Sequence, residues 1–290
     1  MTRPCSFGLV MDPTIDSEAF KQFEHDGWER SVAAYDDLFG GLTSQLIEPL
    51  LAELQLASGE RLLDIATGPG CLAGQARQRG CRVTAIDLSE AMIARARAVF
   101  PEGIDFRVGD AEALPCGEAE FDVIAMNFGM LHLAWPERAA REAWRTLKPG
   151  GRFGFTVWAP PEVSVGFGIV LRAIESHGSS AVRLPAGPPF FKYGSREHAF
   201  DLLTEAGFVS PKARLEHLVW RLPDAESLFT AFHAGTARTG GNLRAQPREN
   251  RERIRRAVRE GATTYQQAEA VEIPMAAWVY WATKPPSNHS

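Results

Sequence analysis

Leu62-Leu-Asp-Ile-Ala-Thr-Gly-Pro-Gly70 is the stretch of sequence that decides the fold of this chain. Arg61 to Ala66 has the short apolar pattern of a buried strand, and Thr67 to Gly70 has the glycine content of a tight loop. A helix that ends near Gly80 is predicted to follow this loop. In open α/β sheets, such a loop lies where ligands bind, outside the carboxyl ends of the strands.

Strands and helices continue to alternate after this first unit. Short apolar strands are predicted at 82–86, 105–108, 121–126 and 152–157, and helices at 89–100 and 136–147. Parallel strands need long crossover connections, which helices supply while covering both faces of the sheet. The region from Ala57 to Val157 therefore predicts a doubly wound, mostly parallel α/β sheet.

Three parts of the chain are predicted around this sheet. Residues 1–56 hold N-terminal helices, and residues 57–157 form the core of the sheet. Residues 158–290 complete the sheet and contain two insertions, at about 158–193 and 224–270. We expect both insertions to lie over the same end of the sheet as a lid, because long segments between sheet elements are usually functional covers.

Composition and charge exclude several classes of protein. The 290 residues are 45% hydrophobic and 23% charged, which is typical of a globular chain, and the formal net charge of −5 offers no general attraction for nucleic acid or anionic lipid. Residues 248–259 contain six arginines, but Ile254, Ala257 and Val258 fall on one helical face. An exposed, salt-bridged helix is favoured there over an RNA-binding strip, and no nucleic-acid partner is expected.

The cysteines and the first residues bear on cellular location. Cys5, Cys71, Cys81 and Cys116 are irregularly spaced, with no C-x-x-C pair and no histidine cluster, so we expect free thiols and no metal site. The first residues lack the apolar core of a signal peptide, and no run of 18 apolar residues could span a bilayer. A cytoplasmic location without a membrane span is therefore expected. The oligomeric state stays open, with a homodimer as one option.

Two cofactor classes fit the glycine loop. The run from Gly68 satisfies the G-x-G-x-x-G/A fingerprint and Asp87 follows at the end of the next strand, so an NAD(P)-dependent oxidoreductase is one alternative. A pyrophosphate needs backbone N–H donors and is repelled by carboxylates, whereas Pro69 removes a donor and Asp64 adds a negative charge. S-adenosylmethionine carries an ammonium and a sulfonium but no phosphate, so the loop favours this cofactor.

Further acidic residues follow the next two predicted strands. Asp87 is suited to accept hydrogen bonds from both ribose hydroxyls in either cofactor class. Asp110 and Ala111 lie at the depth of an adenine, where the carboxylate can accept from the amino group, and Leu88 and Met92 can cover the faces of the base. This third acidic position favours S-adenosylmethionine.

Five segments together resemble the ordered motifs of the class I S-adenosylmethionine-dependent methyltransferases. They are Asp64-x-Ala66-x-Gly68-x-Gly70, Val83-Thr-Ala-Ile-Asp87-Leu-Ser, Gly109-Asp110-Ala-Glu, Phe121-Asp-Val-Ile and Leu147-Lys-Pro-Gly-Gly. The chain is similar in style to the ubiquinone and menaquinone methyltransferase group, in which a Tyr-Asp pair precedes the sheet as Tyr35-Asp36 does here. The resemblance implies a Rossmann-like, seven-stranded sheet with helical lid insertions, in which the last strand, Ala277 to Thr283, is antiparallel.

The same resemblance implies a set of cofactor contacts, with S-adenosylhomocysteine as the product and residues 1–56 covering the cofactor site. The expected contacts are Tyr35, Asp64, Ala66, Thr67, Gly68, Gly70, Asp87, Leu88, Met92, Asp110, Ala111 and Asn127. Ala66 is a mild departure, because many members of the family have glycine at this position.

Methyl transfer from a sulfonium is a direct displacement that depends on alignment and on exclusion of water. An acidic acceptor would also benefit from a base, and His132, in an apolar run after the fourth strand, is the candidate. The alternative interpretation is a hydrogen-bonded structural histidine. The chain lacks the Asn/Asp-Pro-Pro-aromatic motif that related enzymes use to methylate exocyclic amines or glutamine amides, so oxygen or carbon is preferred over nitrogen.

Aromatic residues are expected to form a pocket for a small organic methyl acceptor. The candidates are Phe128, Trp158, Phe167, Phe191 and Trp220. The alternative is that these rings form the core of the insertions themselves. Lys192 and Arg183 can meet an acidic group of the acceptor. The predicted function is methyl transfer to a small metabolite; besides the oxidoreductase, a cofactor-binding protein that has lost methyl transfer is an alternative.

Overall fold

Seven strands form one sheet in the computed structural model, which describes residues 16–287. The strands are β1 (Arg61–Ile65), β2 (Arg82–Asp87), β3 (Ile104–Val108), β4 (Phe121–Asn127), β5 (Leu147–Trp158), β6 (Val209–Leu222) and β7 (Val271–Thr283). Their order across the sheet is β3-β2-β1-β4-β5-β7-β6. The order reverses between β1 and β4, and such a reversal is the point where open α/β sheets bind ligands.

Strands β1 to β5 are parallel, and β7 runs antiparallel to both of its neighbours, β5 and β6. Leu62, Leu63 and Ile65 of β1 are fully buried, as expected for a central parallel strand that is covered on both faces. The predicted fold class is confirmed: a doubly wound, Rossmann-like α/β sheet of seven strands with the last strand antiparallel.

Eleven α-helices connect and cover the sheet within residues 16–287. They are α1 (Ser17–Leu38), α2 (Gly40–Thr43), α3 (Ile47–Glu53), α4 (Cys71–Gln78), α5 (Glu90–Val99), α6 (Pro136–Thr146), α7 (Val165–His177), α8 (Arg196–Glu205), α9 (Glu226–Gly235), α10 (Arg238–Ala245) and α11 (Arg248–Thr263). Local sequence explains several helix starts. Ser89 caps α5 by accepting from the backbone N–H of Met92 at 3.0 Å, and Pro136 begins α6, where no backbone donor is needed.

Helices from separate parts of the chain pack together at the carboxyl ends of the central strands. Helix α1 contacts α9 and α10, and α11 contacts α7 and α9. The ring of Phe232 joins these segments, with its centroid 5.3 Å from that of Phe39 and 4.9 Å from that of Phe167. All three rings are buried, so apolar packing holds this helical cover on the sheet. The division of the chain after residues 56 and 157 stays a prediction.

Helix α7 lies within the insertion at 158–193, which is expected to be helical but in which residue spacing places no individual helix. Gly166 and Gly168 weaken the helical pattern because glycine disfavours helix interiors. Both are required by close packing: a Cβ on Gly166 would lie 2.8 Å from the sulfur of Met275, and one on Gly168 would lie 2.6 Å from the carbonyl oxygen of Pro161. Tertiary contacts therefore override the local preference here.

Two strands begin well before the positions that the sequence predicts. Strand β5 begins at Leu147 instead of Arg152; Leu147 pairs with Phe121 and Arg152 with Val123, so residues 148–151 form a bulge in the strand. Strand β7 begins at Val271 instead of Ala277, because it pairs with β6 from Leu222 onward.

The structure tests, within the described residues, the prediction of no membrane span and the state of the cysteines. Between residues 16 and 287, no helix is long and apolar enough to cross a membrane. Cys71, Cys81 and Cys116 are free thiols. Cys5 and the prediction that a signal peptide is absent fall outside the described residues.

Gly70 offers a test of how the turn before α4 is held. Its φ is +86°, and a Cβ there would lie 3.1–3.2 Å from Phe106, Ala96 and Phe100, whereas Gly59 has a φ of +88° with no atom within 4 Å of that position. We expect Gly59→Ala to lower the free energy of unfolding by about 1 kcal/mol through backbone strain alone. Gly70→Ala should cost about 2–3 kcal/mol because crowding adds to the strain. Urea unfolding measures both, and equal losses would contradict the packing role of Gly70.

Candidate functional site

A deep cavity opens at the carboxyl ends of β1, β2 and β4, next to residues of α1 and α10. Its volume is about 1470 Å³, including the part that is open to solvent. Residues from both the sheet and the helical cover line this cavity.

The cavity brings together most of the residues that the sequence predicts for the site. These are Tyr35, Asp64, Ala66, Thr67, Gly68, Asp87, Leu88, Met92, Asp110, Ala111, Asn127, Phe128, His132, Trp158 and Phe167. They come from distant parts of the chain and meet because parallel strands end at one edge of the sheet.

The structure places three predicted site residues elsewhere. The Cα–H of Gly70 faces the rings of Phe106 and Phe100, and Gly70 does not line the cavity. Phe191 lines a smaller neighbouring cavity. Trp220 belongs to the core: its ring centroid lies 4.5 Å from that of Phe39, and its Nε1–H donates to a backbone carbonyl of α1 at 3.2 Å. Trp220 is therefore a core residue of the helical cover, which is the alternative given above for the aromatic residues.

The loop after β1 keeps its backbone close to the cavity. Ala66 and Gly68 both have left-handed backbone, with φ of +56° and +54°. Among residues 16–287, no atom lies within 4 Å of the position that a Cβ on Gly68 would take. The Cβ of Ala66 lies only 2.7 Å from the position that a Cβ on Gly129 would take, so the alanine fits because its neighbour is glycine. An alanine in this conformation costs about 1–2 kcal/mol.

Asp64 ends β1 as a buried carboxyl group, 1% exposed. Its Oδ2 accepts from the hydroxyl of Thr67 at 2.6 Å and from the backbone N–H of Ala73 at 3.1 Å. Its Oδ1 has no hydrogen-bond partner within residues 16–287. Burial raises the pKa of Asp64 to about 7, since a charged carboxylate loses its hydration there. The cavity thus contains a buried acidic oxygen that lacks a donor.

Asp87 ends β2 and holds the glycine loop. Its Oδ2 accepts from the backbone N–H of Gly68 at 2.8 Å, and its Oδ1 accepts from that of Ser89 at 2.9 Å. Burial raises the pKa of Asp87, and these two hydrogen bonds oppose that effect. Each carboxylate oxygen can accept a further hydrogen bond, so Asp87 can still accept hydrogen bonds from the hydroxyl groups of a ligand.

Asp110 follows β3 and forms ion pairs that the sequence patterns do not predict. The Nζ of Lys21, from α1, lies 2.6 Å from Oδ2 of Asp110 and 2.8 Å from Oε2 of Glu112. The hydrogen bonds and charges of both carboxylates raise the pKa of Lys21 against the opposing effect of burial, which is the largest single contribution. Lys21 therefore fastens α1 to the loop that contains Asp110.

Asn127 ends β4 and has both ends of its amide engaged. Its Nδ2 donates to the carbonyl of Thr43 at 3.1 Å, and its Oδ1 accepts from the hydroxyl of Thr156 at 2.7 Å. The next residue, Phe128, has a left-handed φ of +58°, and its ring stacks on that of Trp158 with centroids 4.1 Å apart. Asn127 lines the cavity, but its polar groups act mainly to hold the strand end in place.

His132 lies opposite an acidic residue of α1. Its Nδ1 donates to Oε2 of Glu24 at 2.9 Å, and Glu24 is only 3% exposed. The rings of Trp28 and Phe190 lie edge-on to the imidazole, with centroids 4.8 and 5.9 Å away. Because Nδ1 is occupied by the carboxylate, Nε2 is the nitrogen that can accept a proton.

These residues fit S-adenosylmethionine better than a dinucleotide. The ammonium of that cofactor matches the donor-less oxygen of Asp64, and its ribose and adenine match the carboxylates of Asp87 and Asp110. A pyrophosphate would lie among several carboxylates, while the lysine in this cavity, Lys21, is already paired. The arrangement therefore supports the phosphate-free cofactor.

Sequence reasoning missed Lys21, Glu24 and Arg238, which all line the cavity. One signal was available for Glu24. In α1 the buried positions are 20, 24, 27 and 31, which are spaced as one helical face, and a glutamate on a buried face is unusual. No comparable pattern marks Lys21 or Arg238, because both depend on contacts between distant segments.

Comparisons with known proteins agree with this geometry. Residues 63–155 match the family model described as a methyltransferase domain. The chain is 40% identical over 138 residues to the ubiquinone/menaquinone biosynthesis C-methyltransferase UbiE of Methylobacterium nodulans, a match that covers 43% of this chain and 55% of that protein. It is 30% identical over 144 residues to the demethylmenaquinone methyltransferase of Clavibacter sepedonicus, covering 48% of this chain and 56% of that protein.

The chain thus spans about half the length of the curated relatives that it matches. Among solved structures, the [4+2]-cyclase SpnF is similar with a TM-score of 0.58 and 19% sequence identity, over 94% of this chain and 99% of that chain. At 19% sequence identity, this structural similarity shows a shared fold and nothing more.

The raised pKa of Asp64 predicts a pH-dependent stability. In the unfolded chain, aspartate has a pKa of about 3.9. The folded protein keeps the proton up to about pH 7. Stability therefore falls as the pH rises between these values, because the unfolded chain releases the proton first. Asp64→Asn removes this penalty and keeps an acceptor for Thr67, so the variant should gain about 2–3 kcal/mol over wild type between pH 5 and pH 8.

Urea unfolding at both pH values measures this gain. Asp122→Asn is the control, because hydrogen bonding to Lys148 and to the backbone N–H of Arg61 lowers the pKa of Asp122 against desolvation. That carboxylate is ionised at both pH values, so its variant should differ from wild type by the same amount at each. A pH-independent difference for Asp64→Asn would show that the carboxyl group is not buried as described.

Proposed function

We propose that this chain, whose residues 63–155 form a class I S-adenosylmethionine-dependent methyltransferase domain resembling UbiE, transfers a methyl group to an oxygen or carbon of a small organic acceptor. One observation carries the proposal. The carboxylates at three strand ends and the pair formed by His132 and Glu24 line the same cavity. A cofactor site and a proton acceptor are thereby brought together.

The strand-end carboxylates form the cofactor end of the site. Asp64 would meet the ammonium group, Asp87 the ribose hydroxyls and Asp110 the adenine amino group. Leu88 and Met92 line the cavity near Asp87 and would contact the base. The glycine loop lets the backbone approach the ligand, because Gly68 carries no side chain that would fill the cavity.

His132 and Glu24 form the transfer end of the site. The bound cofactor supplies an electrophilic methyl group on its sulfonium. Glu24 fixes the tautomer of His132, and Nε2 then takes the proton from the hydroxyl or acidic carbon of the acceptor. The aromatic rings of Phe128, Trp158 and Phe167 exclude water around the acceptor, which favours direct displacement. Transfer to carbon is supported by the name of one relative, a C-methyltransferase.

Two alternatives from the sequence have distinct experimental signatures. An NAD(P)-dependent oxidoreductase would bind a nicotinamide dinucleotide. A protein that has lost methyl transfer would bind S-adenosylhomocysteine without making a methylated product. The following experiments separate both from the proposed function. A cytoplasmic location stays a prediction.

The ribose assignment predicts weaker cofactor binding when Asp87 is removed. Isothermal titration calorimetry should show that wild-type protein binds S-adenosylhomocysteine and does not bind NAD or NADP. Asp87→Ala should raise the Kd for S-adenosylhomocysteine at least tenfold, since hydrogen bonds to a charged group contribute about 1.5–3 kcal/mol. The control is Asp105→Ala, an exposed carboxylate on β3 that pairs with Arg107. Binding of NAD(P) alone, or an unchanged Kd for Asp87→Ala, would overturn the assignment.

The base assignment predicts a loss of turnover with retained binding. Methyl-labelled cofactor and a fractionated metabolite extract identify the active fraction, and the same fraction then serves as the assay. His132→Ala should lower kcat about 100-fold or more, with the Kd for S-adenosylhomocysteine unchanged. Glu24→Gln should lower kcat less than His132→Ala, because the amide oxygen can still accept from Nδ1 and orient the imidazole.

His198→Ala is the control, because that imidazole is exposed and contacts a backbone carbonyl. Equal losses of turnover and cofactor binding in His132→Ala would identify His132 as a structural residue. A complete lack of labelled product with intact binding would support the alternative in which methyl transfer has been lost.

A further inference from the structure

Arg238 occupies the wall between the main cavity and its smaller neighbour. It is the first residue of α10, and its side chain lines both cavities and is 20% exposed. Apolar residues of α7, together with Phe190 and Phe191, form most of the smaller cavity. A guanidinium group in such surroundings requires an explanation, because charged groups are rarely buried without partners.

The contacts of Arg238 leave most of its hydrogen-bonding capacity unused. Its Nη1 donates to the carbonyl of Pro188 at 3.0 Å, and the guanidinium carbon lies 5.1 Å from the ring centroid of Phe20 and 5.6 Å from that of Phe190. A guanidinium has five N–H donors. Within residues 16–287, this is the one hydrogen bond that Arg238 makes. The side chain is partly exposed to the cavity, so its remaining donors are available to a ligand or to water.

Glu24 forms an ion pair with Arg238 but accepts no hydrogen bond from it. Its Oε1 lies 3.9 Å from Nε of Arg238, which is too far for a hydrogen bond, and its Oε2 is occupied by His132. The cation at the other end of the cavity differs in this respect. Lys21 is paired with two carboxylates, Asp110 and Glu112. Free cationic donors are therefore concentrated at the transfer end, beside the imidazole.

We propose that Arg238 binds a carboxylate of the methyl acceptor, so that the acceptor is an aromatic acid whose methylated atom faces His132. This assignment rests on the proposed function. A planar guanidinium matches a carboxylate through two parallel hydrogen bonds. A phosphate dianion fits less well, because a second negative charge would lie beside Glu24 without a further cation. The stacked rings of Phe128 and Trp158 favour a flat acceptor.

A matched pair of probe compounds tests this assignment. 3-Hydroxy-2-naphthoate and 2-naphthol share the ring and the hydroxyl group, and only the first carries a carboxylate. With S-adenosylhomocysteine saturating, calorimetry should show that wild-type protein binds the naphthoate at least tenfold more tightly than the naphthol. Arg238→Gln should reduce this preference to about twofold or less while leaving the Kd for 2-naphthol unchanged, since charge-assisted hydrogen bonds are lost.

Two further variants make the result specific. Arg183→Gln is the matched control, because that exposed guanidinium donates to neighbouring backbone carbonyls outside the cavity, and it should keep the full preference. Arg238→Lys retains the charge without the planar fork and should keep part of the preference, so it carries the test if Arg238→Gln does not fold.

Equal binding of the two probes by wild-type protein overturns the assignment, as does a naphthoate Kd weaker than about 1 mM. Full preference in Arg238→Gln also overturns it. If S-adenosylhomocysteine itself does not bind, the proposed function fails instead, so the two failures are distinguishable.

Discussion

The backbone N–H of Gly68 donates to the carboxylate of Asp87 at 2.8 Å, and this bond joins the loop after one strand to the end of the next. It forms because β1 and β2 are parallel and in register, with Ile65 opposite Ile86, so that both strands end at the same level. Asp64 holds the other side of the loop. The start of α4 and the floor of the cavity depend on these two buried carboxyl groups, whose loss of hydration is only partly offset by their hydrogen bonds.

Helix α1 connects the two ends of the site. Lys21 and Glu24 are three residues apart, so they lie on neighbouring positions of one helical face. Lys21 contacts the carboxylate of Asp110 at the cofactor end, and Glu24 contacts His132 at the transfer end. On the proposed function, the position of one helical turn therefore affects both the adenine side of the cavity and the orientation of the imidazole. The sheet by itself provides neither of these contacts.

The fold and the floor of the site were predictable because they follow from local patterns. Alternating strands and helices specify a parallel sheet, and a parallel sheet brings the acidic residues at strand ends, such as Asp64 and Asp87, to one edge. The residues that form the walls of the cavity were not predictable in this way. Glu24 and Arg238 reach the cavity through packing between segments that are more than 200 residues apart, and no periodic pattern records that packing.

Aromatic residues show the same limit of prediction. The sequence leaves two roles open for both Trp220 and Phe167, namely lining the acceptor pocket or forming the core of the insertions. Both residues are buried, and of the two only Phe167 lines the main cavity. Residues 44–54, within the predicted N-terminal helices, form a short 3-10 turn (Ser44–Leu46) followed by α3. These differences arise where burial, not spacing, decides the outcome.

The methyltransferase match ends at residue 155, whereas α1, α7 and α10 all lie outside it. On the proposed function, Asp64, Asp87 and Asp110 are encoded inside the matched segment, whereas Glu24 and Arg238 are encoded outside it. Mutations in the outer segments can then change which acceptor binds while the three aspartates are retained. On the proposed function, relatives that share the matched core need not share a metabolite.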